Sequence, residues 1–349
     1  MKLRILGAPQ RYIQGPGAID RLGEEVAIAG GGPVAVIVDP VALGIISSSL
    51  AVQLPDARVL NFGGECTSAE ISARASEIGD ARIVIGIGGG KAIDTAKGVA
   101  IERKLPVAIV PTIASNDSPT SHIAVVYTAE HAVDRVRRMK VNPCLVLVDT
   151  EIIAGAPRRF LAAGIGDAMS KPYELAGALA AGGLNFFGGK PTELTQAIVG
   201  RGQDILFEDG ETAMNSENPD EPFERVVEAT ILLSGLAFES GGLSIAHSMV
   251  RGFSTTPQLA GLLHGEMVAL GTLTQLAAGQ GDTEELNRLT TFFRRIGLPT
   301  SFTNLGLTRQ SEFRRIADES LTAPYVSNYF KAVSADDLVK AMRIVDERQ

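Results

Sequence analysis

Ile83-Val-Ile-Gly-Ile-Gly88-Gly89-Gly90-Lys91-Ala-Ile-Asp94-Thr95-Ala96-Lys97 decides how the first half of this chain is read. A β-branched apolar run stops at three glycines, and a helical pattern begins at Lys91. That is a strand, a tight turn and a helix N-terminus in one short span. The first N–H groups of a helix have no partner within it, and the helix dipole adds positive character at the same end. Glycines let an anion approach such a start closely. Gly89, Gly90 and Lys91 therefore form a candidate phosphate cradle for a nucleotide.

Outward from this turn the pattern repeats. Val34–Asp39, Arg82–Gly86, Val107–Val110 and Cys144–Asp149 read as buried strands, with helical patterns at Ala69–Gly79 and Lys91–Arg103 between them. Alternating strands and helices imply a parallel sheet covered on both faces, with ligands at the carboxyl ends of its strands. Those ends are Asp39, Gly88–Lys91 and Pro111–Asp117. From about Ala156 the strand signal fades. Phe160–Ala181, Thr192–Met214, Phe223–Gly252, Gly265–Gly279 and Thr283–Ile296 all suit helices. The expectation is an α/β domain over residues 1–156 and an all-α domain over 157–349.

Bulk properties narrow the function. The 349 residues carry 32 basic and 40 acidic side chains, a net charge of −8, and the short basic run at Arg135, Arg137, Arg138 and Lys140 reads as a solvated face. Such a balance argues against nucleic-acid binding, which needs clustered positive charge. The two cysteines, Cys66 and Cys144, form no CxxC pair, so neither a disulfide framework nor a thiolate metal site is expected. No signal-peptide pattern and no membrane-length apolar run is evident, so a cytoplasmic protein is expected.

Three groups of residues are candidates for chemistry. Asp39 closes a strand, where an acid accepts both hydroxyls of an adenosine ribose and repels a 2′-phosphate. Placed before Pro40, the same residue serves equally as a helix N-cap. It lies upstream of the glycines, whereas the ordinary dinucleotide fingerprint has its acid about 20 residues downstream. The loop Pro111-Thr112-Ile-Ala-Ser115-Asn116-Asp117-Ser-Pro119-Thr-Ser121-His122 is rich in hydroxyls and suits either a polar ligand or a set of surface turns. Finally, Asp167 stands at a glycine-flanked helix start, His247 inside a helix at Gly241–Gly252, and His264 just before the helix that opens at Gly265. A carboxylate and two imidazoles make a three-ligand set for Zn²⁺ or Fe²⁺. Buried structural histidines and an N-cap aspartate account for the same residues as well.

Taken together, the segments Gly86–Lys97, Pro111–Asp117, Leu161–Asp167, Phe238–Leu243 and Leu263–Gln275 resemble the iron-containing (family III) alcohol dehydrogenases, most closely their glycerol dehydrogenase branch, over nearly the whole chain. The resemblance implies a nucleotide-binding α/β domain with an all-α catalytic domain, the fold shared with dehydroquinate synthase. It implies NAD contacts at Asp39, Gly89, Gly90, Lys91, Thr112, Ser115, Ser121, Ile123 and Tyr127, and a substrate hydroxyl held by Asp117. Asp167, His247 and His264 would hold a catalytic ion, usually zinc, with iron as the alternative. The implied reaction interconverts a small secondary alcohol or polyol and its ketone, in a homo-oligomer from dimer to octamer.

The chain departs from the branch in places. His247-Ser248-Met249-Val250-Arg251 stands where His-x-x-His-Asn is usual, and His122, Pro172, Arg137 and Arg138 replace other residue types. Arg251 lies four positions after His247, on the same helix face. A guanidinium there suits an anionic hydroxy compound, a hydroxy acid or phosphate ester, unless it reaches solvent or a neighbouring acid. A dehydroquinate-synthase-like lyase is the other alternative.

Overall fold

The computed structural model describes residues 2–129, 131–280 and 283–347. It contains β1 (Tyr12–Gly15), β2 (Val34–Val38), β3 (Arg58–Asn61), β4 (Ile83–Gly88), β5 (Val107–Pro111), β6 (Ile123–Tyr127), β7 (Val133–Arg138) and β8 (Leu145–Asp149). The helices of the first part are α1 (Leu22–Ile28), α2 (Pro40–Gln53), α3 (Ser68–Glu77), α4 (Gly90–Arg103) and α5 (Thr150–Ala154). Then follow α6 (Arg158–Ala168), α7 (Lys171–Ala181), α8 (Glu193–Asn215), α9 (Glu221–Glu228) and α10 (Ser234–Gly241). The last are α11 (Ile245–Ser254), α12 (His264–Gln280), α13 (Glu284–Arg295), α14 (Gln310–Ser320) and α15 (Ala335–Asp346). This is the expected parallel sheet with helices, followed by a wholly helical region.

The chain divides into two compact units, each assembled from separate stretches of the sequence. One comprises Gly7–Pro157 with Ser216–Gly235, the other Met1–Leu6 with Arg158–Asn215 and Leu236–Gln349. One cut between residues 156 and 157 therefore does not describe the whole division. Residues 216–235 join the α/β unit partly because Gln14 on β1 donates to Glu224 of α9 (2.6 Å to Oε2) and Thr150 donates to the same carboxylate at 2.5 Å. The first residues join the helical unit through Ile5 N–H to the Lys190 carbonyl (3.2 Å) and Lys190 N–H to that of Leu3 (2.8 Å).

In the α/β unit, six parallel strands run in the order β1-β8-β5-β4-β2-β3. The central strands β2, β4, β5 and β8 are buried throughout, as their unbroken apolar runs require. Val36, Val38, Ile85, Ile87, Val110, Leu145 and Leu147 form the core beneath one face. From β2 the chain turns outward to β3, whereas from β4 it proceeds the other way to β5. The carboxyl ends of β2 and β4 thus flank a topological switch point, where doubly wound sheets bind ligands. An antiparallel hairpin of β6 and β7 stands apart from this sheet.

Several helices are broken where one continuous helix was expected. The stretch 160–181 is split at Met169-Ser170 into α6 and α7. The stretch 223–252 becomes α9, a π-helical turn at Ala229–Leu233, α10 and α11, with Gly242 at φ +99° between the last two. His247 therefore lies in the first turn of α11, not inside a helix running from Gly241. No single helix among the described residues is long and apolar enough to cross a membrane.

Candidate active site

At the switch point lie the strand end, glycine turn and helix start of Gly88–Lys91. β4 ends at Gly88, and α4 begins at Gly90 with no side-chain cap among the described residues, which leaves its first N–H groups without an acceptor from a capping side chain. Gly88 has φ +141°, and a Cβ there would fall 2.9 Å from the Asp39 Cβ and 3.1 Å from that of Ala92. Only glycine allows this approach, and it sets Asp39 against the turn. Asp39 arrives there because β2 pairs with β4, its own N–H donating to the Ile87 carbonyl at 3.0 Å. Asp39 also caps α2, accepting from Val41 N–H (2.8 Å) and Ala42 N–H (3.3 Å). Both bonds end on Oδ1, so the cap role does not use Oδ2. Thr112 N–H donates to the Gly88 carbonyl at 3.1 Å, which brings the loop after β5 to the same place.

Lys91 extends from the cradle to Glu65, at 2.6 Å, and its ammonium lies 5.3 Å from the centre of the Tyr127 ring. His131 reaches the same Glu65 oxygen. The expected contacts Lys91 and Tyr127 are thus neighbours, although 36 positions apart in sequence.

The loop carrying Ser115, Asp117, Ser121 and Ile123 is anchored from beneath by α4. Lys97 is fully buried, and its ammonium donates to the carbonyls of Ser118 (2.5 Å) and Ile123 (2.8 Å) and to Ser121 Oγ (3.1 Å). Asp94 lies 3.7 Å away and accepts from Ser118 Oγ (2.7 Å) and Val125 N–H (3.0 Å). Burial pushes the Asp94 carboxyl above its usual range, against the pull of Lys97. Asp117 is buried and accepts from Ser234 Oγ at 3.1 Å. Ser234 follows the π-helical turn, whose Ile231 carbonyl accepts from Thr120 at 3.2 Å. Wide turns of this kind shift the register of a helix and often mark functional sites.

In the helical unit, α6, α11 and α12 meet almost backbone to backbone. A Cβ on Gly265 would lie 1.8 Å from the Ala163 carbonyl oxygen, and one on Gly271 would lie 2.2 Å from that of Ala246. These contacts bring Asp167, His247 and His264 together, with one ligand atom from each within 4.8 Å of the others. Asp167 is buried, His247 half-buried and His264 exposed, so the group is open on one side. Asp167 occupies the last turn of α6 rather than a helix start, which corrects the expectation from its flanking glycines and removes the N-cap explanation. His264 is the first residue of α12. Glu266 holds that helix start, accepting from Leu263 N–H at 2.7 Å and from Arg159 at 2.6 Å.

Glu174 of α7 supports this group. Its Oε1 accepts from Ser244 N–H (2.8 Å) and His247 N–H (3.0 Å), capping α11, while Oε2 takes His247 Nδ1 at 2.6 Å. A carboxylate only accepts, so Nδ1 donates its proton to Glu174, and Nε2, the atom left to meet an ion once its own proton is displaced, faces Asp167 Oδ1 at 3.4 Å. Burial alone would depress the His247 pKa, but Glu174 outweighs it, with Lys171 opposing, and raises it to about 9. Burial works against ionisation of Asp167 too, yet Lys171 and the two histidines hold its carboxyl well below the usual range.

These residues fit a divalent ion. Asp167 Oδ2 is buried with no hydrogen-bond partner among the described residues, an arrangement that costs free energy unless something accepts its charge. Two imidazoles and one carboxylate are the donor types of a zinc or iron(II) site with open positions. Glu174 is the outer carboxylate that such histidines commonly have.

Lys171, Glu174, Ser234 and the Asp94–Lys97 pair were assigned no role from sequence. The spacing Asp167, Lys171, Glu174 was the one available signal, since it repeats at one helical turn. Arg251 is paired with Glu319 at 3.2 Å and is half-exposed, so a neighbouring acid accounts for it. Cys66 and Cys144 are both free and buried.

A family model for iron-containing alcohol dehydrogenase matches residues 9–150. The chain is 37% identical to a glycerol dehydrogenase of Escherichia coli O6:H1, over 99% of this chain and 97% of that protein. Among solved structures it is similar to the glycerol dehydrogenase of Schizosaccharomyces pombe (TM-score 0.95, 32% identity, 100% of this chain and 91% of that one). It is also similar to a probable glycerol dehydrogenase of Sinorhizobium meliloti 1021 (TM-score 0.92, 35% identity, 99% and 98%).

Proposed function

This chain belongs to the iron-containing alcohol dehydrogenase family, and on that premise we propose that it interconverts a small polyol or secondary alcohol of the glycerol type and its ketone, with NAD and a divalent metal. The observation that carries the reading is the group Asp167, His247 and His264, backed by Glu174 and holding one buried carboxylate oxygen with no hydrogen-bond partner among the described residues.

The α/β unit is assigned to NAD and the helical unit to metal and catalysis. Backbone N–H groups at Gly89, Gly90 and Lys91 receive the pyrophosphate, and Asp39 receives the adenosine ribose through its uncapped oxygen. Thr112, Ser115, Ser121, Ile123 and Tyr127 complete the NAD contacts. Lys97 holds Ser121 and Ile123 in position, and Asp94 holds Ser118 and Val125 beside them. Asp117 accepts a hydrogen bond from a substrate hydroxyl, its carboxylate steadied by Ser234. Asp167, His247 and His264 hold the ion, for which the donor set favours Zn²⁺, with Fe²⁺ as the alternative. A divalent ion there supplies Lewis-acid polarisation of the alcohol oxygen, and NAD supplies the hydride acceptor. Glu174 holds the Nδ1 proton of His247 and so orients the ring with Nε2 as the atom offered to the ion.

The Arg251–Glu319 pairing withdraws the feature that favoured an anionic substrate. A homo-oligomer, from dimer to octamer, working in the cytoplasm completes the proposal and is checked by light scattering and fractionation. The deciding experiment is a spectrophotometric screen of polyols, diols and hydroxy acids with NAD. Glycerol-like diols should yield NADH, lose that activity with a chelator and regain it with Zn²⁺. Turnover only of phosphorylated substrates without net NADH would favour the lyase, and no metal uptake would overturn the assignment.

A further inference from the structure

Lys171 is unused by the site as described, although it touches one of its ligands. Its side chain is 3% exposed. Its ammonium lies 2.6 Å from Asp167 Oδ1, 3.1 Å from the Asp167 carbonyl and 3.4 Å from Ser170 Oγ. A buried ammonium is costly unless paired, and Asp167 is the carboxylate that pairs it. The same carboxylate is the anionic member of the ligand set, so two cations claim it.

We propose that Lys171 is a resident counter-cation of the metal centre, one that holds Asp167 in place before the ion arrives and weakens the centre's grip on that ion. The proposal rests on the reading of Asp167, His247 and His264 as ligands. Two properties follow from the geometry. First, Lys171 fixes Oδ1 while Oδ2 has no partner, so no hydrogen bond to Oδ2 among the described residues must break to admit an ion. Second, Asp167 and Glu174 bring two buried negative charges to the group, and Lys171 cancels one of them. With His247 neutral, as an ion on its Nε2 requires, a divalent cation then meets one net negative charge instead of two. Charges buried in this way are little screened by solvent or salt. The result is a site that is ordered without metal and exchanges its ion readily.

The test measures Zn²⁺ affinity by competition with a chromogenic chelator, for the wild type and for Lys171→Met, Lys171→Thr and Lys171→Arg. Removing the charge should tighten Zn²⁺ binding at least about tenfold in Lys171→Met, while Lys171→Arg stays near the wild type. The metal-free Lys171→Met protein should also melt lower and gain more from Zn²⁺ than the wild type does. Equal or weaker Zn²⁺ binding by Lys171→Met overturns the proposal. Should that variant not fold, Lys171→Thr is held to the same expectation. If neither folds and Zn²⁺ does not restore them, Lys171 serves the fold alone and the proposal also fails. A wild type that binds no Zn²⁺, or His264→Ala that binds it unchanged, counts instead against the ligand assignment.

Discussion

Replacing Lys97 with methionine tests whether the expected NAD loop is held by a buried charge rather than by its own turns. Methionine fills much of the same volume but donates nothing. The carbonyls of Ser118 and Ile123 lose donors at 2.5 and 2.8 Å, Ser121 Oγ loses one at 3.1 Å, and Asp94 loses its cation at 3.7 Å. Breaking a buried ion pair by removing one partner costs about 3–5 kcal/mol. Each orphaned carbonyl adds about 1–3 kcal/mol, not additively. Asp94 limits the loss by taking up a proton, since burial already raises its pKa. The expected cost is therefore about 3–5 kcal/mol in total, which lowers the melting temperature of a unit this size by about 6–20 °C. Thermal unfolding followed by circular dichroism measures it. A parallel NADH fluorescence titration should show weaker binding, because Ser121 and Ile123 lose their anchor. Asp94→Asn combined with Lys97→Met should cost less than the two single changes added together, as members of one network do. A loss below about 1 kcal/mol with unchanged NADH binding would refute the reasoning.

Glu174→Gln removes the charge behind His247 and should weaken Zn²⁺ binding about 10- to 100-fold in chelator competition; unchanged affinity would deny Glu174 its orienting role. Asp39→Gly should raise the use of NADP relative to NAD, at a stability cost of only a few tenths of a kcal/mol because glycine is tolerated at an N-cap. An unchanged ratio of kcat/KM for the two cofactors would remove Asp39 from the ribose site. Arg251→Asn should leave the ranking of glycerol over hydroxy acids as it is and shift stability by less than about 0.5 kcal/mol, since its ion pair is exposed. A changed ranking would restore the anionic-substrate reading.

The sequence by itself determined the features that local pattern encodes. Unbroken apolar runs marked β2, β4, β5 and β8, because a strand buried on both faces has no polar alternation to hide. The edge strand β3 and the hairpin strand β7 are largely exposed, so they carry no such signal and went unread. The glycine turn was legible because φ +141° at Gly88 admits few other residues. Asp167, His247 and His264 were legible as motif members, but the end of α6 that carries Asp167 was misread from its glycines. Those glycines serve close helix packing: a Cβ on Gly166 would lie 2.7 Å from the Gly265 carbonyl oxygen, a distance that no local pattern reveals.

Only the tertiary structure decided which charges face one another. Glu174 meets His247 across 73 positions, Arg251 meets Glu319 across 68, and Ser234 meets Asp117 across 117. Periodicity and propensity report on neighbours within a turn or two of chain. The strength of a charge depends instead on burial and on partners brought from afar. The sequence could therefore name the candidate ligands proposed for a metal centre, while the folded chain alone could place a lysine against one and a glutamate behind another.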